Sequence, residues 1–142
     1  ILETARGLVR RHGIRGLVID PWNELETARG EYSETEFIGL CLKRARQFAR
    51  RYGIHLWIVA HPAKMYRDKS GAYPVPSLWD ISGSAHWRNK SDSGVVIYRD
   101  LADPESKVVE IHVQKQRFRQ DGGMGMSTLT YRHSTGAYID HE

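Results

Sequence analysis

An α/β fold follows from three features of this 142-residue sequence. Short apolar runs of strand length end on polar residues, amphipathic helical segments separate them, and alternating runs close the C-terminal third. Residues 2–12 place Leu2, Ala5, Leu8 and Val9 at helical spacing with basic residues between, and Gly13 follows as a stop. Residues 16–20 (Gly-Leu-Val-Ile-Asp) form an apolar run capped by a carboxylate and then Pro21, the pattern of a strand buried on both faces. Ser33-Glu34-Thr35-Glu36 is a capping box; Phe37, Leu40, Cys41, Ala45, Phe48 and Tyr52 then recur at helical spacing until Gly53. Residues 54–60 read as a second strand, closed by His61-Pro62, with Trp57 expected in the core. A long loop over 62–78 holds three prolines, residues 82–89 suggest a short helix, and 94–98 a third strand. Residues 108–117 alternate, Gly122-Gly123 marks a turn, and 126–132 and 137–139 add strands. The order predicts a mainly parallel, twisted sheet with an antiparallel C-terminal edge hairpin, in one domain that no repeat or linker divides.

Composition bounds the function classes. A hydrophobic fraction of 40% and mean hydropathy of −0.54 suit a soluble globular chain. The longest apolar runs are too short to span a bilayer, and no basic segment followed by an apolar stretch opens the chain. The single cysteine, Cys41, excludes an internal disulfide, which fits a reducing cytoplasm and equally a disulfide-free secreted protein. It falls on the apolar face of its helix and reads as packing. Net charge +4 and a pI near 9.3 are compatible with a polyanionic partner and equally with a solvated, slightly basic surface. The chain opens on Ile1 and runs directly into a helical pattern, as an excised segment would.

In open α/β sheets, ligands sit beyond the carboxyl ends of parallel strands, so polar residues at those ends come first. Asp20 has the form of a carboxylate that holds Mg²⁺ through water beside a nucleotide's phosphates, or alternatively of a cap for the next turn. His61, at the end of the second strand, reads as a donor to a phosphate oxygen or as a satisfied structural histidine. The following loop carries Lys64, Arg67, Lys69, Ser70 and Gly71 with Tyr66 and Tyr73 interleaved; its length favours phosphate contact over an ordinary charged loop. Lys115 and Arg117, two apart, continue the parity of Val109, Ile111 and Val113 and are expected on that inward face, reaching past the sheet edge to an anion, or alternatively as two solvated basic residues at a strand end before a turn. The remaining histidines show no metal-ligand spacing.

Four segments in this order resemble the C-terminal part of the DnaB-like helicase superfamily, nearest its phage primase-helicase and Twinkle types, over residues 13–139. Residues 17–21 (Leu-Val-Ile-Asp-Pro) resemble a Walker B strand, and 57–62 (Trp-Ile-Val-Ala-His-Pro) the strand ending in the phosphate sensor. Residues 80–85 (Asp-Ile-Ser-Gly-Ser-Ala), continuing to Asp92 and then Tyr98-Arg99-Asp100, resemble the fourth motif. Residues 113–117 (Val-Gln-Lys-Gln-Arg) resemble the Lys-x-Arg strand. The resemblance implies a RecA-like three-layer core and gives Asp20 a Mg²⁺-linked role. It makes His61 a γ-phosphate sensor and directs Lys115 and Arg117 to a neighbouring subunit's ATP. It also places Lys64, Arg67, Lys69, Ser70 and Gly71, with Arg88 and Asn89 of the fourth motif, on single-stranded DNA, and Tyr138 against the nucleotide base. ATP, Mg²⁺, a hexameric ring and an adjoining primase domain are its implied cofactors and partners, in a bacterial or phage-infected cytoplasm. Two departures stand out: many relatives have Arg in place of Ser82 and Gln in place of Asn89. No Gly-x-x-x-x-Gly-Lys-Ser/Thr loop occurs, so the segment alone is expected to be inactive. A RecA/KaiC-like ATPase without unwinding activity and a non-catalytic nucleic-acid-binding module remain alternatives.

Overall fold

The fold is described from a computed structural model covering residues 1–25, 29–69, 71–100, 103 and 105–141. It falls into two compact units, Ile1–His61 with Ile81–Lys90, and Pro62–Asp80 with Ser91–Glu142.

In the first unit, α1 (Leu2–His12) ends where Gly13 adopts φ 63° and donates its N–H to the Val9 carbonyl. Strand β1 (Gly16–Ile19) pairs in parallel with β2 (His55–Ile58), Leu17 opposite Leu56 and Ile19 opposite Ile58. Between them runs α2 (Glu34–Tyr52), started by the expected capping box: the Glu36 N–H donates to Ser33 Oγ at 3.3 Å and the Ser33 N–H to the Glu36 carboxylate at 3.0 Å. Hydrogen bonding from Ser33, side chain first and then backbone, holds the Glu36 carboxyl below its ordinary value. Ile38 and Leu42, one turn apart, bury against Trp87 of the short helix α3 (His86–Lys90), with Trp22, Ile58, Ala60 and Ile81 packed around them. Each such aliphatic side chain contributes about 1.5–3 kcal/mol by leaving water. Trp22 meets Trp87 edge-on at 5.1 Å, and Trp87 Nε1 donates to the Ser82 carbonyl. Gly39 makes this approach possible, because a Cβ there would come within 2.7 Å of the His86 ring.

Trp57 departs from expectation. It is 52% exposed and stacks on His55 at 4.6 Å, with Val18 and Val59 also exposed. The apolar run predicts cover on both faces, yet in this chain only the face of Ile19 and Ile58 meets the core.

The second unit is a four-stranded antiparallel sheet in the order β3 (Ser93–Tyr98), β4 (Val108–Gln116), β5 (Gly125–Arg132), β6 (Ala137–Asp140). The α/β class stands, but the expected predominance of parallel pairing does not: β1–β2 is the one parallel pairing among the described strands, against three antiparallel ones. The links from β3 through β6 are too short for the helical crossover that a parallel neighbour requires, so each strand turns back on the last.

A β-bulge separates Gly94 from Val95: Gly94 pairs with Lys115 and Val95 with Val113, leaving Gln114 as the extra residue. Its side chain fastens the end of the long loop. Gln114 Oε1 accepts from the Leu78 N–H at 3.0 Å and Nε2 donates to the Pro76 carbonyl at 2.8 Å. Leu78 is buried directly over Gly94, where a Cβ would collide with its side chain. Upstream, Tyr98 OH donates to the Tyr73 carbonyl at 2.7 Å. Asp80 closes the loop: its carboxylate accepts from both the N–H and the hydroxyl of Ser77, each at 2.7 Å, and its carbonyl accepts from the Ala63 N–H. Those two bonds from Ser77, backbone first, hold the Asp80 carboxyl below its ordinary value.

Two measurements test this anchoring. Gln114→Ala removes both partners of a half-buried backbone pair and is expected to cost about 1–3 kcal/mol. Trypsin should cut after Lys64, Arg67 or Lys69 faster in that variant, and equal cutting rates would show that Gln114 does not hold the loop. Because the folded Asp80 value is depressed, its stabilisation is complete above the unfolded-state value and is lost as pH falls through the folded one. Between about pH 5 and pH 3 the wild type should therefore lose more stability than Asp80→Asn in denaturant titrations.

Candidate functional site

Parallel pairing of β1 with β2 brings their carboxyl ends side by side, as the sequence led one to expect. The adjacency persists past the strands: the Val59 N–H donates to the Ile19 carbonyl at 2.9 Å, and the Trp22 N–H to the Val59 carbonyl at 2.7 Å. Asp20 is exposed at this tip, joined to Pro21 by a cis peptide bond, and among the described residues nothing pairs with its carboxylate. His61 is also exposed, and its backbone is held on both sides. Its N–H donates to Asn23 Oδ1 at 3.2 Å, and its carbonyl accepts from the Ser82 N–H at 3.4 Å. A single solvent-facing carboxylate fits Mg²⁺ bound through water, since that ion keeps much of its hydration and takes its remaining ligands from phosphates. The donor set at this tip is too small for an ion held by protein groups alone.

Arg88 and Asn89 sit on α3 in the same unit, Arg88 half-buried and Asn89 exposed. Lys90, next along, donates Nζ to the Gly39 carbonyl at 2.9 Å and ties α3 to α2.

In the second unit the loop after His61 carries its cations outward: Lys64, Arg67 and Lys69 are all exposed. The guanidinium of Arg67 lies 5.1 Å over the Tyr73 ring, so that arginine is partly ordered before any ligand binds. Tyr66 is 77% exposed and available for stacking, whereas Tyr73 is half-buried. Gly71 adopts φ +86° at the tip, with open space where a Cβ would stand, so a strand's backbone can approach closely. Ser70, named with this group from the sequence, lies outside the described residues.

Lys115 and Arg117 do come together, though on the other face from the one expected. Residues 113 and 115 pair with adjacent residues of β3, which point to opposite sides, so the bulge at Gln114 turns Lys115 away from the side of Val113. Lys115 Nζ donates to the Ser91 carbonyl at 2.7 Å, and Arg117 pairs with the Asp92 carboxylate at 2.8 Å while its own N–H donates to the Asp92 carbonyl. Two cations thus converge on the corner preceding β3, one half-neutralised by a half-exposed carboxylate. Tyr138 is 57% exposed and leans on Tyr131, its cross-strand neighbour, at 5.1 Å. Tyr131 also meets the His133 ring edge-on at 4.8 Å. Burial pushes the Cys41 thiol up, with Arg44 opposing, which fits a packing role.

Sequence reasoning passed over Asn23, Gln114 and Tyr131. Asn23 accepts from the backbone of His61, 38 residues along the chain, a contact that no short-range signal marks. The roles of Gln114 and Tyr131 depend on a bulge and a cross-strand pairing that no local pattern announces.

Among the described residues no helix is long and apolar enough to cross a membrane. No protein-family model matches the chain. It is 41% identical over 143 residues to the Twinkle homolog protein, chloroplastic/mitochondrial, of Arabidopsis thaliana, a match that takes in 99% of this chain and 20% of that protein. The chain therefore spans about one fifth of the curated relative's length. Among solved structures it matches an ATPase domain with a TM-score of 0.77 at 22% identity, over 99% of this chain and 50% of that one. The fold is thus that of an ATPase domain of the RecA-like kind, and over nearly its whole length the chain is similar to a segment of a Twinkle homolog.

Proposed function

We propose that this chain is the C-terminal half of the RecA-like motor of an ATP-dependent ring helicase, one that moves along single-stranded DNA and unwinds duplex DNA during replication. The observation that carries the reading is the Asp20–Asn23–His61 tip, in a chain 41% identical to a Twinkle homolog. ATP and Mg²⁺ are the proposed cofactors. A hexameric ring is the proposed assembly, and a primase domain the proposed neighbour in the same polypeptide. Exposed Val18, Trp57 and Val59 suit a sheet that continues against more of the motor. The proposed setting is a reducing compartment where genomes are copied: a bacterial or phage-infected cytoplasm, or an organelle such as the plant relative's name gives.

In this reading Asp20 would hold Mg²⁺ through water, an ion that would offset phosphate charge, and His61 donates to a γ-phosphate oxygen. The backbone clamp from Asn23 and Ser82 fixes where the His61 ring starts, so loss of the phosphate is felt at Pro62, the next residue in the chain and the first of the basic loop. Lys64, Arg67 and Lys69, with Ser70 and Gly71, track the backbone of the DNA strand, and Arg88 and Asn89 support that contact. Lys115 and Arg117 act on a neighbouring subunit's ATP, stabilising charge that grows as the phosphoryl group leaves. Tyr138, steadied by Tyr131, stacks on the base.

The full-length protein carrying this chain should hydrolyse ATP, and single-stranded DNA should stimulate it. Arg117→Ala is expected to lower that rate by about 10³-fold or more while ATP binding persists. His61→Ala should keep DNA-free hydrolysis closer to wild type and lose the stimulation. Hydrolysis without strand displacement on a forked duplex would point instead to a RecA/KaiC-like ATPase. No hydrolysis by a folded wild type would leave a binding module.

A further inference from the structure

Eight of the 21 Lys and Arg residues lie on α1 and α2, against three of the 17 acidic ones. From Phe37 to Tyr52, α2 carries Lys43, Arg44, Arg46, Arg50 and Arg51 and no acid. The helix dipole accounts for cations in the last turn, Arg50 and Arg51, but its effect has faded two turns earlier at Arg44. Helix–helix packing accounts for little either, since Ala5 is the buried residue of α1, and α2 turns Ile38, Gly39, Leu42 and Ala45 inward.

Between these two helices lies a groove of about 300 Å³ whose walls include Arg6, Arg44, Arg51, Phe48 and Tyr52. Arg44, Phe48 and Arg51 recur at i, i+4 and i+7, so one face of α2 offers guanidinium, ring, guanidinium in sequence. The Phe48 and Tyr52 rings lie 4.7 Å apart at a tilt, and the Arg51 guanidinium sits 5.9 Å over Tyr52. Glu3 is the acid in the lining, and it is already paired with Arg6 at 3.0 Å. Arg44 and Arg51 are exposed.

We propose that this groove binds the sugar–phosphate backbone of a single-stranded nucleic acid, as a second contact separate from the loop of Lys64 and Arg67. Arginine forks grip phosphate oxygens two at a time, and the neighbouring rings give an unpaired base a surface to stack on. An acidic peptide would satisfy the charges and the forks but would leave the paired rings without purpose. The proposal rests on the reading that the protein handles single-stranded DNA, and it adds a second place where the strand is held.

The test uses the full-length protein and a fluorescein-labelled oligothymidylate, with anisotropy read across a salt series. Arg44→Ala/Arg51→Ala is expected to bind about tenfold more weakly near 0.1 M salt, and log Kd should rise less steeply with log salt, by roughly 1.4 for two lost phosphate contacts. DNA-free ATP hydrolysis should be unchanged. Arg44→Lys/Arg51→Lys keeps the charge and should retain the salt slope while losing several-fold in affinity. Wild-type affinity and slope in both folded pairs would overturn the proposal, as would polyglutamate competing as well as the oligonucleotide. Lys64→Ala/Arg67→Ala separates the two claims: a loss confined to that variant removes the groove but keeps the motor, and no loss in any variant removes both.

Discussion

One extra residue in a β-ladder governs the second half of this chain. Gln114 stands without a partner on β3, and its amide therefore turns outward from the sheet to the end of the loop, where it meets one donor and one acceptor. The same insertion reverses the side on which Lys115 projects, delivering its ammonium to Ser91 and placing Arg117 beside Asp92. Without the bulge Lys115 would follow Val113 onto the opposite face, and the loop would lose its attachment between Tyr98 and Asp80. Leu78 over Gly94 is the apolar part of this arrangement, and it tolerates no larger residue beneath it.

At the other tip, geometry is set by parallel pairing. Two strands running the same way end at the same edge, and the bonds from Val59 to Ile19 and from Trp22 to Val59 extend that pairing to the polar residues. Asn23 then converts a strand end into a fixed starting position for His61. This is a backbone clamp on a residue whose side chain stays exposed, and the proposed sensor role needs that combination of a rigid origin and a reachable ring.

Local signals carried most of the element boundaries. The capping box at Ser33 and the left-handed glycines at 13 and 53 appear where short-range rules put them, and the strands expected over 16–20 and 54–60 form as the shorter Gly16–Ile19 and His55–Ile58. What local rules missed was long-range. Whether β3 pairs parallel or antiparallel depends on its neighbour in space, and its residues read alike in both cases. The face of Lys115 hinged on a single unpaired residue, since one step of register flips every side chain beyond it. Trp57 is apolar on a strand of apolar residues, and only the structure shows its face uncovered in this chain. The candidate residues Asp20, His61 and the loop cations were legible because strand ends and long basic loops are marked in sequence. Asn23 and Gln114, which act on backbone atoms distant in the chain, were not.

In the proposed reading Arg117 acts in trans, and its pairing with Asp92 bears on how it would do so. A pair with side chains 29% and 39% exposed is screened by water, and pairs of that kind contribute about 0–1 kcal/mol. A phosphate group brings more charge and a geometry suited to the guanidinium fork, so it can displace Asp92 at small cost. Asp92 then serves a purpose in the absence of ligand: it holds the guanidinium near one orientation at the corner before β3, which lowers the ordering entropy lost when an anion arrives. Arg117 also donates its N–H to the Asp92 carbonyl, so its backbone stays anchored while the side chain changes partner. On the proposed reading, a guanidinium whose carboxylate pair is weak and whose backbone is anchored leaves Asp92 for a neighbour's phosphate without moving the strand that carries it.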